Sequence, residues 1–258
     1  MEFDPGFNID VTLKPLGFRY GKNTFGPVVE NRALDDIRKS LRDPACSGPE
    51  IVYAIAMDIG KREHLADLEE RHLLFGAVIY ERGSLGNEPI RSQGHVHAVS
   101  PHSGRSTPEL YEIWDGRAVI YMQERVTDNP GRCFAVEAGP GDVVLVPPGW
   151  GHATISADPD QQLVFGAWCD RKFAFEYDAV RNRGGLAWFP LIDRGSLRWE
   201  HNPSWEYTKL IKKTPERYSQ LGIEDNVPIY TQYESDNERF MFVPEPDKVN
   251  NFWDDFIP

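Results

Sequence analysis

Short apolar runs dominate the middle of the chain. Val52–Met57, Leu73–Tyr80, Ala118–Gln123, Val143–Val146, Ala153–Ser156 and Leu163–Trp168 are rich in Val, Ile, Tyr, Phe and Trp, and Gly, Pro, Asp and Asn separate them. Many short strands with such punctuation, from Ile51 to about Trp199, predict an antiparallel sandwich or barrel. Gly139-Pro140-Gly141-Asp142 predicts a turn leading into a buried apolar strand. The flanks read differently. Residues 1 to about 30 are Gly- and Pro-rich, which predicts a mostly irregular arm wrapped on the body. Asn31 to Asp43 sets Leu34, Ile37 and Leu41 at helical spacing among charges, so an amphipathic helix is expected there, ended by Pro44 and Gly48. Beyond Pro203 the signal thins. Thr214-Pro215-Glu216 has the N-cap, N1 proline and early acid of a helix start, and Gly222 suits its C′ stop. The stretch from Pro228 to Pro258 is aromatic and Pro-rich, too apolar for a disordered tail. It is expected to strap over the barrel, with a dimer contact or lid as the alternative. The expected division is an arm and helix over 1–50, a barrel over 51–205 and a C-terminal extension over 206–258.

Composition narrows the partners. Lys plus Arg total 28 against 40 Asp plus Glu, a net charge of −12. An acidic surface argues against nucleic acid or an anionic membrane, although a pocket can still attract a small anion through its local field. Cys46, Cys133 and Cys169 are odd in number and far apart, so neither a disulfide scaffold nor a cysteine zinc site is expected. The N-terminus has no signal-peptide pattern and no apolar run reaches membrane-spanning length, which predicts a soluble cytoplasmic protein.

The candidate chemistry lies in His95-Val96-His97, Glu109 and His152. Residues two apart on a strand face the same side, so the His95 and His97 imidazoles can converge. Glu109 and His152 sit in similar strand-rich settings, and Gly116 is a turn candidate at the end of the Glu109 strand. Three imidazoles and a carboxylate suit one divalent ion: iron, manganese, nickel or zinc. Seven histidines in 258 residues can produce one His-x-His by accident. The second block, Gly141 to Pro147-Pro148-Gly149-Trp150-Gly151-His152, makes an accident improbable, because two internally spaced motifs must then coincide.

These two blocks resemble the paired signature motifs of the cupins, which implies a double-stranded β-helix (jelly roll) of mainly β structure. Ser156 stands where an Asn is usual, and residues 99–106 form a longer gap of turn formers before Glu109. A closer resemblance runs through Phe75-Gly76-Ala77-Val78-Ile79-Tyr80, Ser92-Gln93-Gly94-His95-Val96-His97-Ala98, Pro108-Glu109-Leu110-Tyr111, Pro147 to Thr154, and Glu176-Tyr177. It points to the cupin-type glucose-6-phosphate isomerases of archaea and some bacteria, and covers roughly residues 30 to 205. The resemblance implies that His95, His97, Glu109 and His152 bind the metal. It implies that a hydroxyl at Ser92 and the backbone at Gly94 hold the sugar phosphate, and that Tyr111 and Tyr177 line the sugar site. A departure falls on the substrate: paired threonines of the family are replaced by Ala77-Val78, for which Arg82, Arg91 or Arg105 are candidate substitutes.

The reaction implied is aldose–ketose isomerisation, with glucose 6-phosphate and fructose 6-phosphate the first pair to consider. Charge developing on the oxygens at C1 and C2 needs a Lewis acid, and a carboxylate such as Glu109 can move the C2 proton, with Tyr111 and Tyr177 orienting hydroxyls or relaying protons. A hydride shift would need no base. A cupin dioxygenase and a non-catalytic sugar-binding cupin use the same residues and stay open. A homodimer is the expected assembly.

Overall fold

A computed structural model describes residues 1–258. Strands hold 38% of the residues and helices 15%, so the chain is mainly β as its apolar pattern predicts. A six-stranded sheet runs in the order Val143–Val146, Glu109–Asp115, Leu163–Asp170, Leu73–Tyr80, Ile51–Met57 and Glu30–Ala33. A four-stranded sheet contains Gly151–Ser156, Ala118–Gln123, Cys133–Ala138 and Leu210–Lys213. Pairing is antiparallel except that Leu210–Lys213 runs parallel to Cys133–Ala138. The result is a double-sheet jelly roll, the cupin architecture that the sequence implies.

The apolar runs are nearly continuous because the larger sheet is covered on both faces. Its inner face carries Tyr53, Ile55, Met57, Val78, Tyr80, Glu109 and Tyr111, alternating along their strands into a common cavity. Its outer face carries Phe75, Trp114 and Trp168, and there the chain ends pack. Phe7 from the N-terminal arm meets Phe75 and Trp114 edge-on, and Tyr230 stacks on Trp168 at 5.6 Å. Glu112, on the same face, accepts a hydrogen bond from the Ile229 amide at 2.7 Å and so ties the Ile229–Ser235 helix to the sheet.

Three local expectations need correction. The helix expected over Asn31–Asp43 is one α-turn, Leu34–Ile37, followed by a 3-10 turn over Arg38–Ser40. Leu34, Ile37 and Leu41 are buried as their spacing requires, but Glu30–Ala33 is drawn into the sheet edge against Ile51–Ile55. The arm is not irregular throughout, since Ile9–Leu13 and Leu16–Tyr20 form a hairpin. No helix starts at Thr214. Only a 3-10 turn over Ser219–Leu221 forms, and Gly222 closes it in the left-handed region at φ 71°. The turns at Gly116 and Gly141 fall where expected, with φ of 73° and 85°. No helix is long and apolar enough to cross a membrane.

Candidate active site

His95, His97, Glu109 and His152 meet at one point although 56 residues of chain lie between the first and last of them, and their ligand atoms all lie within 4.8 Å of one another. Backbone pairing produces this. His95 and His152 exchange N–H···O bonds of 3.0 and 2.9 Å, and Val96–His97 pairs with Phe175–Glu176. The His95 and His97 rings stack 5.3 Å apart on one face, as a strand spacing of two requires. Glu109 enters from the first position of its own strand. Gly94 precedes the pair with φ of 87°, and a Cβ there would lie 2.7 Å from Leu186 Cδ1, so only glycine fits this approach.

The donor arrangement tests whether a cation belongs here. His97 Nδ1 is 3.0 Å from the Thr107 carbonyl and His152 Nδ1 is 3.0 Å from the Trp150 carbonyl. A carbonyl only accepts, so both Nδ1 atoms carry the proton and both Nε2 atoms turn inward. Those Nε2 atoms lie 3.1 and 3.2 Å from the same oxygen, Glu109 Oε2. Lone pairs facing a carboxylate at that distance repel unless a proton or a cation joins them. His95 Nε2 is buried with no partner at all. Burial pushes the His95 imidazole well below its ordinary range, with the charges of His152 and His97 adding, so its ring is neutral and free to ligate. Burial alone would raise the Glu109 carboxyl, but the contacts with His152 and His97 outweigh it and hold Glu109 well below the usual carboxylate range. Three imidazole nitrogens and an ionised carboxylate turned to one point fit a borderline divalent ion held through nitrogen and oxygen. The backbone carbonyls of Thr107 and Trp150 are the outer supports that orient such ligands.

Tyr111 donates its hydroxyl to Glu109 Oε2 at 2.7 Å. Burial pushes the phenol well above its ordinary range and the Glu109 charge adds, so it stays a protonated donor. Cys169 Sγ is 3.4 Å from the other oxygen, Oε1, a weak contact. The cavity above the four ligands opens to solvent at its mouth, and 14 residues line it. Nine of its 14 lining residues are hydrophobic, so orientation falls to the few polar groups. Ser92 and Tyr177 are among them, and Gly94 is not among the lining residues. Ser92 Oγ accepts from the Thr154 amide at 3.1 Å, which leaves its own proton free to donate. Tyr177 approaches His95, with ring centroids 5.9 Å apart. Burial raises the Tyr177 phenol, and Arg32 and Arg181 draw it back.

The three arginines offered as substitutes for the lost threonine hydroxyls lie elsewhere. Arg82 bonds Gln162, Arg91 is sealed between Glu88 and the Ser40 carbonyl, and Arg105 pairs with Asp247. Val78 does line the cavity, without a hydroxyl to offer. Sequence reasoning missed Tyr53, Tyr80, Gln93 and Thr154 as lining residues. The signal for the tyrosines was strand alternation: Tyr53 shares a face with Ile55 and Met57, and Tyr80 with Val78.

A profile of the family described as glucose-6-phosphate isomerase (GPI) matches residues 27–207. Glucose-6-phosphate isomerase of Pyrococcus abyssi is 27% identical over 202 residues, covering 75% of this chain and 98% of that protein. That of Thermococcus litoralis is 26% identical over 203 residues, covering 74% and 97%. A putative glucose-6-phosphate isomerase of Rhizobium meliloti is 27% identical over 135 residues, covering 52% and 58%. The match spans both histidine motifs, Glu109, Tyr111 and Tyr177, and it takes in well over half of the chain: this protein belongs to the glucose-6-phosphate isomerase family.

Proposed function

We propose that the protein is a metal-dependent aldose–ketose isomerase that interconverts glucose 6-phosphate and fructose 6-phosphate. The observation that carries this reading is the ring of three imidazoles and one ionised carboxylate at the base of a cavity that opens to solvent. Family membership supplies the reaction class.

A divalent ion held by His95, His97, Glu109 and His152 would polarise the oxygens at C1 and C2 as a Lewis acid. The protein's own groups divide the rest. Glu109 Oε2 is committed to the two imidazoles and the Tyr111 hydroxyl, so Oε1, touched only by a thiol, is the oxygen left to take the C2 proton and return it at C1. Tyr111 holds the carboxylate in place and is itself too weak an acid to lose its proton. Tyr177 orients the sugar hydroxyls beside His95. Ser92 and the backbone at Gly94 hold the phosphate. The apolar walls exclude water from the intermediate.

The proposal takes 51–205 as the catalytic barrel, edged by Glu30–Ala33 and Leu210–Lys213, with the rest of 206–258 as its cover, and a homodimer in the cytoplasm as the working form. Sedimentation of the purified chain checks the assembly, which a monomer would contradict. The activity is tested by a coupled assay over a panel of aldose phosphates and free sugars. Glucose 6-phosphate and fructose 6-phosphate are expected to interconvert. Ser92→Ala is expected to raise KM more than it lowers kcat, the sign of lost uniform binding. A preference for an unphosphorylated sugar removes the phosphate from the reading and leaves the isomerase. No turnover of any sugar by metal-replete protein rejects it.

A further inference from the structure

Behind Gln93, Tyr53 and Tyr177 of the cavity wall stand two guanidinium groups that the metal-ligand motifs do not account for. Gln93 lines the cavity and is only 1% exposed. Its Oε1 accepts from Arg181 Nε at 2.8 Å. A guanidinium only donates, so this contact fixes which end of the amide is which. The other end, Nε2, is a buried donor without a partner. Arg181 lies over the Tyr177 ring, its Cζ 4.8 Å from the centroid, and its contacts are this ring and Gln93 rather than a carboxylate. Arg32 pairs with Tyr53 across the strands and stands beside the phenols of Tyr53 and Tyr177. Its Nε is also buried and unpartnered. The one carboxylate on Arg32 is Glu30, 2.6 Å from Nη2 but 65% exposed, a weak competitor for a ligand. Unpaired buried donors are costly, and two guanidinium groups next to the lining tyrosines, with a free amide N–H in the wall between, suit a tetrahedral oxyanion.

We propose that Arg32, Arg181 and the Gln93 amide complete the seat of the substrate's phosphoryl group beside Ser92 and Gly94, making good the hydroxyl missing at Val78. The inference rests on reading the cavity as an aldose-phosphate isomerase site. Tyr177 separates the two ends of that site: Arg181 packs on its face, and His95 lies 5.9 Å away at the ligand ring. A sugar spanning this gap presents C1 and C2 to Glu109 and its terminal phosphate to the arginines.

The test uses Arg32→Gln and Arg181→Gln, with Gln93→Met as a third variant, each checked for a cooperative thermal transition. Wild-type protein is expected to bind inorganic phosphate in calorimetry and to be competitively inhibited by it. Each arginine variant is expected to weaken phosphate binding and raise KM for glucose 6-phosphate by about tenfold or more, while kcat changes by less than about threefold. Arg32→Lys is expected to recover only part, because it restores charge without the planar fork. If Arg32→Gln does not fold, Arg181→Gln carries the same comparison from the other side of Tyr177. Folded arginine variants that isomerise glucose 6-phosphate with unchanged KM and unchanged phosphate binding overturn the seat and leave the isomerase reading standing. Phosphate binding that depends on Arg32, in a metal-replete protein that turns over no sugar, overturns the isomerase reading and leaves the seat.

Discussion

Glu109 and Glu112 stand three apart on one strand and serve opposite faces, and the outer one gives a clean perturbation. Glu112 is fully buried and accepts from the Ile229 amide at 2.7 Å and Trp114 Nε1 at 2.9 Å. Burial pushes its carboxyl up from 4.5 to about 8. The bonds from Ile229 and Trp114 pull it back, and the charge of Asp4 adds to the rise. Between those two values the folded state keeps a proton that the unfolded chain has lost. Stability from this group is therefore fully present below pH 4.5 and is lost as pH rises through about 8. The full difference corresponds to roughly 5 kcal/mol, a ceiling that relaxation and water entry reduce to about 2 kcal/mol or more. In a chain of this size that is about 4 °C or more of melting temperature. The perturbation is Glu112→Gln, which removes the proton and keeps the shape. Its amide cannot accept both donors, a cost of about 1–3 kcal/mol that does not depend on pH. Melting curves from pH 5 to pH 9 should show the wild type losing stability relative to the variant as pH rises. A difference between the two that stays constant across that range refutes the reasoning.

Two further predictions bear on the site. Tyr111→Phe removes the 2.7 Å donor to Glu109 Oε2; a hydrogen bond to a charged group is worth about 1.5–3 kcal/mol, so kcat should fall about 10- to 100-fold with KM little changed, read in steady-state kinetics. Gly94→Ala should lower stability by about 1–3 kcal/mol in denaturant titration, because a Cβ at φ 87° would press on Leu186 Cδ1; a neutral result would mean that the loop before His95 yields more easily than its packing implies.

The strands were legible because nothing competes with their signal. Leu73–Tyr80, Ala118–Gln123 and Val143–Val146 have the same bounds in the sequence pattern and in the structure, since the β-branched and aromatic runs there stop at charged residues or at Pro147. The His95–His97 pair was legible because its spacing encodes strand alternation, whereas Glu109 and His152 could be joined to it only through the motifs that carry them. The helix over Asn31–Asp43 failed where periodicity met pairing: Leu34 and Ile37 keep their burial, but the edge of the sheet claims Glu30–Ala33 and leaves one α-turn. The N-terminal hairpin was overlooked although Ile9, Val11 and Leu13 alternate, because Gly and Pro around them suggested loop. Arg32, Arg181 and Gln93 could not have been read as a group. They are joined by the Arg181–Gln93 hydrogen bond and by the packing of Tyr53 and Tyr177, and no sequence spacing links residues 32, 93 and 181.

The measurement that bears most directly on the central claim is metal titration of stripped protein. Chelation should abolish isomerase activity and lower the melting temperature, because an ion that binds only the folded chain stabilises it by mass action. Adding back a divalent ion should restore both at one ion per chain, and His97→Ala or His152→Ala should bind none and regain neither. Full activity in protein shown by elemental analysis to be free of metal would contradict the account.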